Sequence, residues 1–216
     1  MKAVLFDLDG TLLNTLEDLT DATNAALAHF GCPRRTMEEV RSFVGNGAER
    51  LIRLALPGKA DDPDVSEVLA YYKDYYAAHS QVKTCPYGGI LEALAEIKRE
   101  FPVAVVSNKP DNATKLLCAQ YFGDVFALGE SSVCPRKPAP DMVHQAMAAI
   151  GAESCIYVGD SEVDIATAKA AGVPCLSVTW GFRDRDQLER EGATWFCDDI
   201  AQLTRTLAQM EEHYGK

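Results

Sequence analysis

Near its amino terminus the chain reads Val4-Leu5-Phe6-Asp7-Leu8-Asp9-Gly10-Thr11, an apolar run followed by two acids two residues apart, a glycine and a hydroxyl. The run has the character of a short buried strand. Side chains alternate along an extended segment, so Asp7 and Asp9 leave it on one side and can converge just beyond its end. Gly10 then permits a sharp turn. Two carboxylates held together repel, which costs stability unless a cation neutralises them or one keeps its proton. An isolated Asp-x-Asp also suits a solvated loop. The preceding strand, Gly10, Thr11 and a helix signal from Asn14 distinguish this one.

Downstream of the run, the pattern becomes helical and stays so for some sixty-five residues. Asn14, three residues before Glu17, has the spacing of a helix cap with its partner. Leu16, Leu19, Thr23, Ala26, Leu27 and Phe30 then fall on one face, and Gly31 with Pro33 ends the segment. Further helices are predicted from about Met37, from Ala48 to Leu56, and through Val65, Val68, Leu69, Tyr72, Tyr75 and Tyr76, whose three-and-four spacing marks a bundle core. Residues 15–81 therefore read as an all-helical module, with Lys83 to Gly89 returning the chain. Within it, Val44-Gly45-Asn46-Gly47-Ala48-Glu49-Arg50 places two glycines before a helix start. That arrangement suits either a tight turn or backbone amides open to an anion.

From Ile90 strands and helices alternate. Helices are predicted over 90–99, 111–121, 140–150, 162–171 and 185–190, with a last one from Asp198 or Asp199. Strands are predicted over 103–106, 125–128, 155–158, 174–178 and 195–197. Such alternation implies a doubly wound, Rossmann-like parallel sheet of the α/β class, covered by helices on both faces. Residues 1–14 and 82–216 would form this core, with the helical module inserted after the first strand. Ligands of these sheets bind beyond the carboxyl ends of the strands, where strand order reverses. Asp7, Ser107 with Asn108, and Asp160 each end a different predicted strand.

The 216 residues suffice for one large core and a smaller module. A net charge of −11 opposes binding to nucleic acid or anionic lipid, so a phosphate site would need its own local cations. Seven scattered cysteines without zinc spacing read as reduced core residues. No leader precedes the first strand and no apolar run approaches membrane-spanning length, so a cytoplasmic location is expected.

Asp7-x-Asp9-Gly10-Thr11 after a strand, Ser107 at a strand end, Lys137 in Arg136-Lys137-Pro138-Ala139-Pro140, and Gly159-Asp160 with Asp164 resemble, in order, the four motifs of the haloacid-dehalogenase-like hydrolases. The resemblance spans essentially the whole chain. It implies a phosphatase in which Asp7 attacks phosphorus to form an aspartyl-phosphate and Asp9 acts as acid and then base. Lys137, Ser107 and the Asn108 amide would stabilise phosphoryl oxygens. A magnesium ion would be held by Asp7, the Asp9 carbonyl and Asp160, with Asp164 orienting a metal-bound water. Asp160 and Asp164 lie four apart on one face of a helix start, where a capping role is the alternative. The helical insert would act as a cap closing over the site.

The Gly45–Gly47 stretch looks like the specificity loop of phosphoglycolate-phosphatase-like members, which implies a small phosphorylated metabolite as substrate. Arg50 would then meet its non-reacting end, or else simply face solvent. Asn14 departs from the Asp common in relatives. Asp9 disfavours dehalogenation, and neither Lys59 nor Lys73 is set to form the imine of a phosphonate hydrolase. The alternatives are a phosphosugar mutase of the same fold and an inactive binding module. Oligomeric state is not readable.

Overall fold

A computed structural model describes residues 2–58, 63–132 and 134–214; Lys59 lies outside them. The chain divides into two compact units, Met1–Leu13 with Pro86–Lys216, and Asn14–Cys85.

The first unit is a six-stranded parallel sheet with helices on both faces. Its strands are β1 (Lys2–Phe6), β4 (Val103–Pro110), β5 (Phe126–Glu130), β6 (Ser154–Gly159), β7 (Cys175–Val178) and β8 (Phe196–Cys197), in the order β5-β4-β1-β6-β7-β8. β1 is central, with Phe6 opposite Val105 of β4 on one side and Val158 of β6 on the other. The chain runs outward from β1 through β4 to β5, then returns to lay β6 against the other side of β1. The reversal of strand order therefore lies at β1, where such sheets bind ligands.

Alternation divides the core into two layers. Val4, Phe6, Val105, Ile156 and Val158 pack with α5 (Ile90–Glu100), α6 (Asp111–Phe122) and α10 (Leu203–Tyr214). Ala3, Leu5, Ala104, Val106 and Tyr157 pack on the opposite face with α7 (Asp141–Ala149) and α8 (Glu162–Ala171). A strand segment buried on both faces is apolar at every position, which explains the unbroken run Ala3–Phe6 of β1. Every residue of these two clusters belongs to the first unit.

The second unit contains α1 (Leu16–His29), α2 (Met37–Phe43), α3 (Ala48–Ala55) and α4 (Val65–His79). Val68, Tyr72 and Tyr76 form the buried stripe of α4. The α1 start differs from expectation: Thr15 occupies the N-cap position without a side-chain cap bond, while Asn14 Oδ1, one residue earlier, accepts the Leu16 N–H at 3.3 Å. Asp18 is buried in the first turn of α1 because its carboxylate accepts the Lys83 and Thr84 N–H groups and the Thr84 hydroxyl, at 2.8–3.0 Å. Gly45 and Gly47 take φ of 121° and 83°, values that favour glycine. The two-residue strands β2 (Leu13–Asn14) and β3 (Cys85–Pro86) pair where the chain leaves the sheet unit and returns.

All seven cysteines are free. Four are buried as expected, but Cys32 and Cys175 are half-buried and Cys85 is exposed. Among the described residues, no helix is long and apolar enough to cross a membrane.

Candidate active site

β1 delivers Asp7 directly into the site. The Asp7 N–H donates to the Val158 carbonyl at 2.8 Å, continuing the strand pairing past Phe6 and fixing the residue against β6. Lys137, in the loop between β5 and α7, donates to Asp7 Oδ1 at 2.7 Å, Asp164 Oδ1 at 2.8 Å and the Tyr157 hydroxyl at 3.0 Å. Tyr157 donates onward to Asp164 Oδ1 at 3.1 Å. An ammonium has three N–H donors, so these three acceptors saturate it.

Asn108 holds the backbone of the same lysine. Its Nδ2 donates to the Lys137 carbonyl at 3.0 Å and its Oδ1 accepts the Lys137 N–H at 2.7 Å. Ser107 is buried, and its Oγ accepts the Lys109 N–H at 3.2 Å.

β6 and the start of α8 supply the other acids. Asp160 Oδ1 accepts the Thr11 hydroxyl at 3.2 Å and Oδ2 accepts the Phe182 N–H at 2.7 Å. Asp164 turns back to the helix start, where Oδ2 accepts the Ser161 N–H at 3.1 Å and hydroxyl at 2.6 Å. Asp164 therefore caps α8 with one oxygen and meets Lys137 with the other. These acids rest on bare backbone. A Cβ at Gly10 would meet Asp160 Oδ2 at 2.3 Å, one at Gly159 would meet Asp164 Cβ at 2.3 Å, and one at Gly181 would meet Asp160 Cβ at 2.4 Å.

Asp7, Asp160 and Asp164 each present an oxygen to one buried point, with these atoms within 4.8 Å of one another. Burial, reinforced by Asp164 and Asp160 and opposed by Lys137, raises the Asp7 carboxyl well above the usual range. Burial and the Asp164 charge push Asp160 up to about 7. Burial would lower Lys137, but the charges of Asp164 and Asp7 hold it well above its ordinary value. Three hard oxygens around an excess of buried negative charge suit a divalent cation, so the cluster can hold a metal ion.

Asp9 contributes no side-chain oxygen to this group. The chain winds tightly after Asp7, with Gly10 at φ 92° and the Leu12 and Leu13 N–H groups both donating to the Leu8 carbonyl at 3.0 Å. The segment is no longer extended, so simple alternation does not carry Asp9 to the point where Asp7 lies. Asp9 Oδ1 instead pairs with Lys109 Nζ at 3.0 Å, outside hydrogen-bond geometry. Arg50 is exposed in the first turn of α3.

Thr11, Tyr157, Gly181 and Lys109 were not assigned roles from the sequence. Thr11 belongs to the first motif, Lys109 and Tyr157 stand two residues from Ser107 and Gly159, and Gly181 lies beyond all four motifs.

The chain belongs to the haloacid dehalogenase-like hydrolases: the model of that family matches residues 4–178. It is 35% identical to phosphoglycolate phosphatase 1 of Pseudomonas aeruginosa, over 98% of this chain and 81% of that protein. It is 34% identical to a phosphoglycolate phosphatase of Cereibacter sphaeroides, over 96% and 99%. A solved structure from Lactobacillus delbrueckii subsp. bulgaricus, provisionally named a phosphoglycolate phosphatase, superposes with a TM-score of 0.87 at 36% identity, covering 95% of this chain and 97% of that one.

Proposed function

We propose that this chain is a magnesium-dependent phosphatase of small phosphate monoesters, with phosphoglycolate the leading substrate, working through a phosphoryl group carried on Asp7. The observation that carries the proposal is Asp7 itself, a strand-end carboxylate oriented by Lys137 within a buried three-acid group. The relatives' names supply the substrate.

An oxygen of Asp7 attacks phosphorus in line, and the bond from phosphorus to the ester oxygen breaks. Asp9 gives the departing oxygen a proton, then takes one from the water that cleaves the acyl phosphate. Asp7 is released as carboxylate and inorganic phosphate leaves. Magnesium bound by Asp7, Asp160, Asp164 and the Asp9 carbonyl would draw charge from the phosphoryl oxygens and lessen the repulsion between two anions.

Lys137 orients Asp7 and balances the acid cluster; to donate to a phosphoryl oxygen it must release one of its present acceptors. Ser107 and the Asn108 backbone amide serve the remaining phosphoryl oxygens. Arg50 is assigned to the carboxylate end of the substrate, and the helical unit to excluding water as a cap.

The test is phosphate release from a panel of small phosphate esters, with magnesium and then with chelator. Phosphoglycolate should be among the best substrates, chelator should abolish turnover, and Asp7→Asn should lower kcat by about a thousandfold or more. Equal rates with and without chelator would remove the metal. A requirement for a hexose bisphosphate would replace the phosphatase with a mutase.

A further inference from the structure

We propose that Lys109 is a positioning residue for Asp9, holding its carboxyl group where it hands a proton to the departing oxygen and, as carboxylate, takes one back from the attacking water. The inference rests on the general-acid reading of Asp9 given above.

Lys109 Nζ lies 3.0 Å from Asp9 Oδ1, and the lysine side chain is only 3% exposed against 14% for the acid. An ammonium drawn so far out of water needs an anionic partner, and Asp9 provides one.

The backbone is built to aim this side chain. β4 runs on through Pro110, and its register with β5 shifts between Val106 and Pro110, an irregularity of the kind that redirects side chains at strand ends. The Lys109 N–H is fixed by Ser107 Oγ at 3.2 Å and its carbonyl accepts the Thr114 hydroxyl at 3.3 Å. On the next strand, Gly129 leaves the space: a Cβ there would meet the Lys109 carbonyl at 2.5 Å.

Each acid of the first motif is therefore matched with a buried lysine, one from the loop after β5 and one from the end of β4. Lys137 serves Asp7, and Lys109 serves Asp9.

Leaving-group dependence separates this role from general structural support. An alkyl phosphate needs its departing oxygen protonated, whereas p-nitrophenolate leaves readily without help. kcat/KM reports the steps through phosphoryl transfer and is measured on phosphoglycolate and on p-nitrophenyl phosphate. Lys109→Met should lower kcat/KM on the alkyl ester by about a hundredfold and on the aryl ester far less. Lys109→Arg should restore much of the difference, and it carries the test alone if the methionine variant fails to fold. Magnesium affinity measured by calorimetry should match the wild type.

Equal losses on both esters would overturn the inference, as would arginine behaving no better than methionine. Asp9→Asn is measured in parallel. If it too loses both esters equally, the general-acid reading fails. If it discriminates between them and Lys109→Met does not, only the role of Lys109 fails.

Discussion

Tyr157 hydroxyl stands between two buried charges, accepting from Lys137 and donating to Asp164. Tyr157→Phe keeps the ring and removes both contacts, so equilibrium unfolding in urea should show a loss of about 1.5–3 kcal/mol, the range for hydrogen bonds to charged groups. An unchanged midpoint would mean that water or a neighbour replaces the hydroxyl. Asp160→Asn has the opposite sign in the absence of metal. It removes one of three crowded negative charges, so in chelator at pH 8 its melting temperature should exceed that of the wild type. Magnesium should raise the wild-type melting temperature and barely move that of the variant.

At the level of elements, the strand ends and helix starts that form the site were largely legible, because each is announced locally. An apolar run buried on both faces ends in an acid at β1 and β6, and a proline-restricted loop precedes α7. Contacts that join one element to another were not legible. Lys109 is spelled out beside Ser107, but nothing local says that β4 continues four residues past Val106 or that its register shifts there. Tyr157 reads as an ordinary core aromatic until Lys137 is placed above it. β2 and β3 are too short to show a period. Asp18 looks like a surface acid on α1 until the returning segment donates to it. Gly181 belongs to the same class of non-local requirement. Gly181→Ala would push a Cβ against Asp160 and to 2.4 Å from the Gly10 carbonyl, so it should abolish the magnesium-dependent rise in melting temperature. Gly31→Ala is the control: open space surrounds it, and only its φ of 69° is strained, at about 1 kcal/mol. A full magnesium response in Gly181→Ala would contradict the close seating of Asp160.

For the whole molecule, the acid cluster links stability to pH. The Asp160 carboxyl rises from an ordinary 3.8 to about 7 on folding. Between those values the folded chain keeps a proton that the unfolded chain has lost, so stability falls as pH rises through the interval. Melting curves in chelator should therefore show the wild type losing ground to Asp160→Asn from about pH 4 to about pH 7. Saturating magnesium should close the gap from the alkaline side. A constant difference across the range would show that Asp160 titrates alike in both states.

The paired connectors β2 and β3 have a consequence for modularity. A polypeptide insertion whose entry and exit are hydrogen-bonded neighbours can be cut out or exchanged without re-threading its host, and here the host's apolar layers contain none of its residues. Replacing 15–84 by a short turn should leave a cooperatively unfolding α/β remnant, followed by circular dichroism in urea; a molten product would refute this. Such a splice point lets a lineage trade one helical insert for another while the residues of the sheet unit are inherited intact.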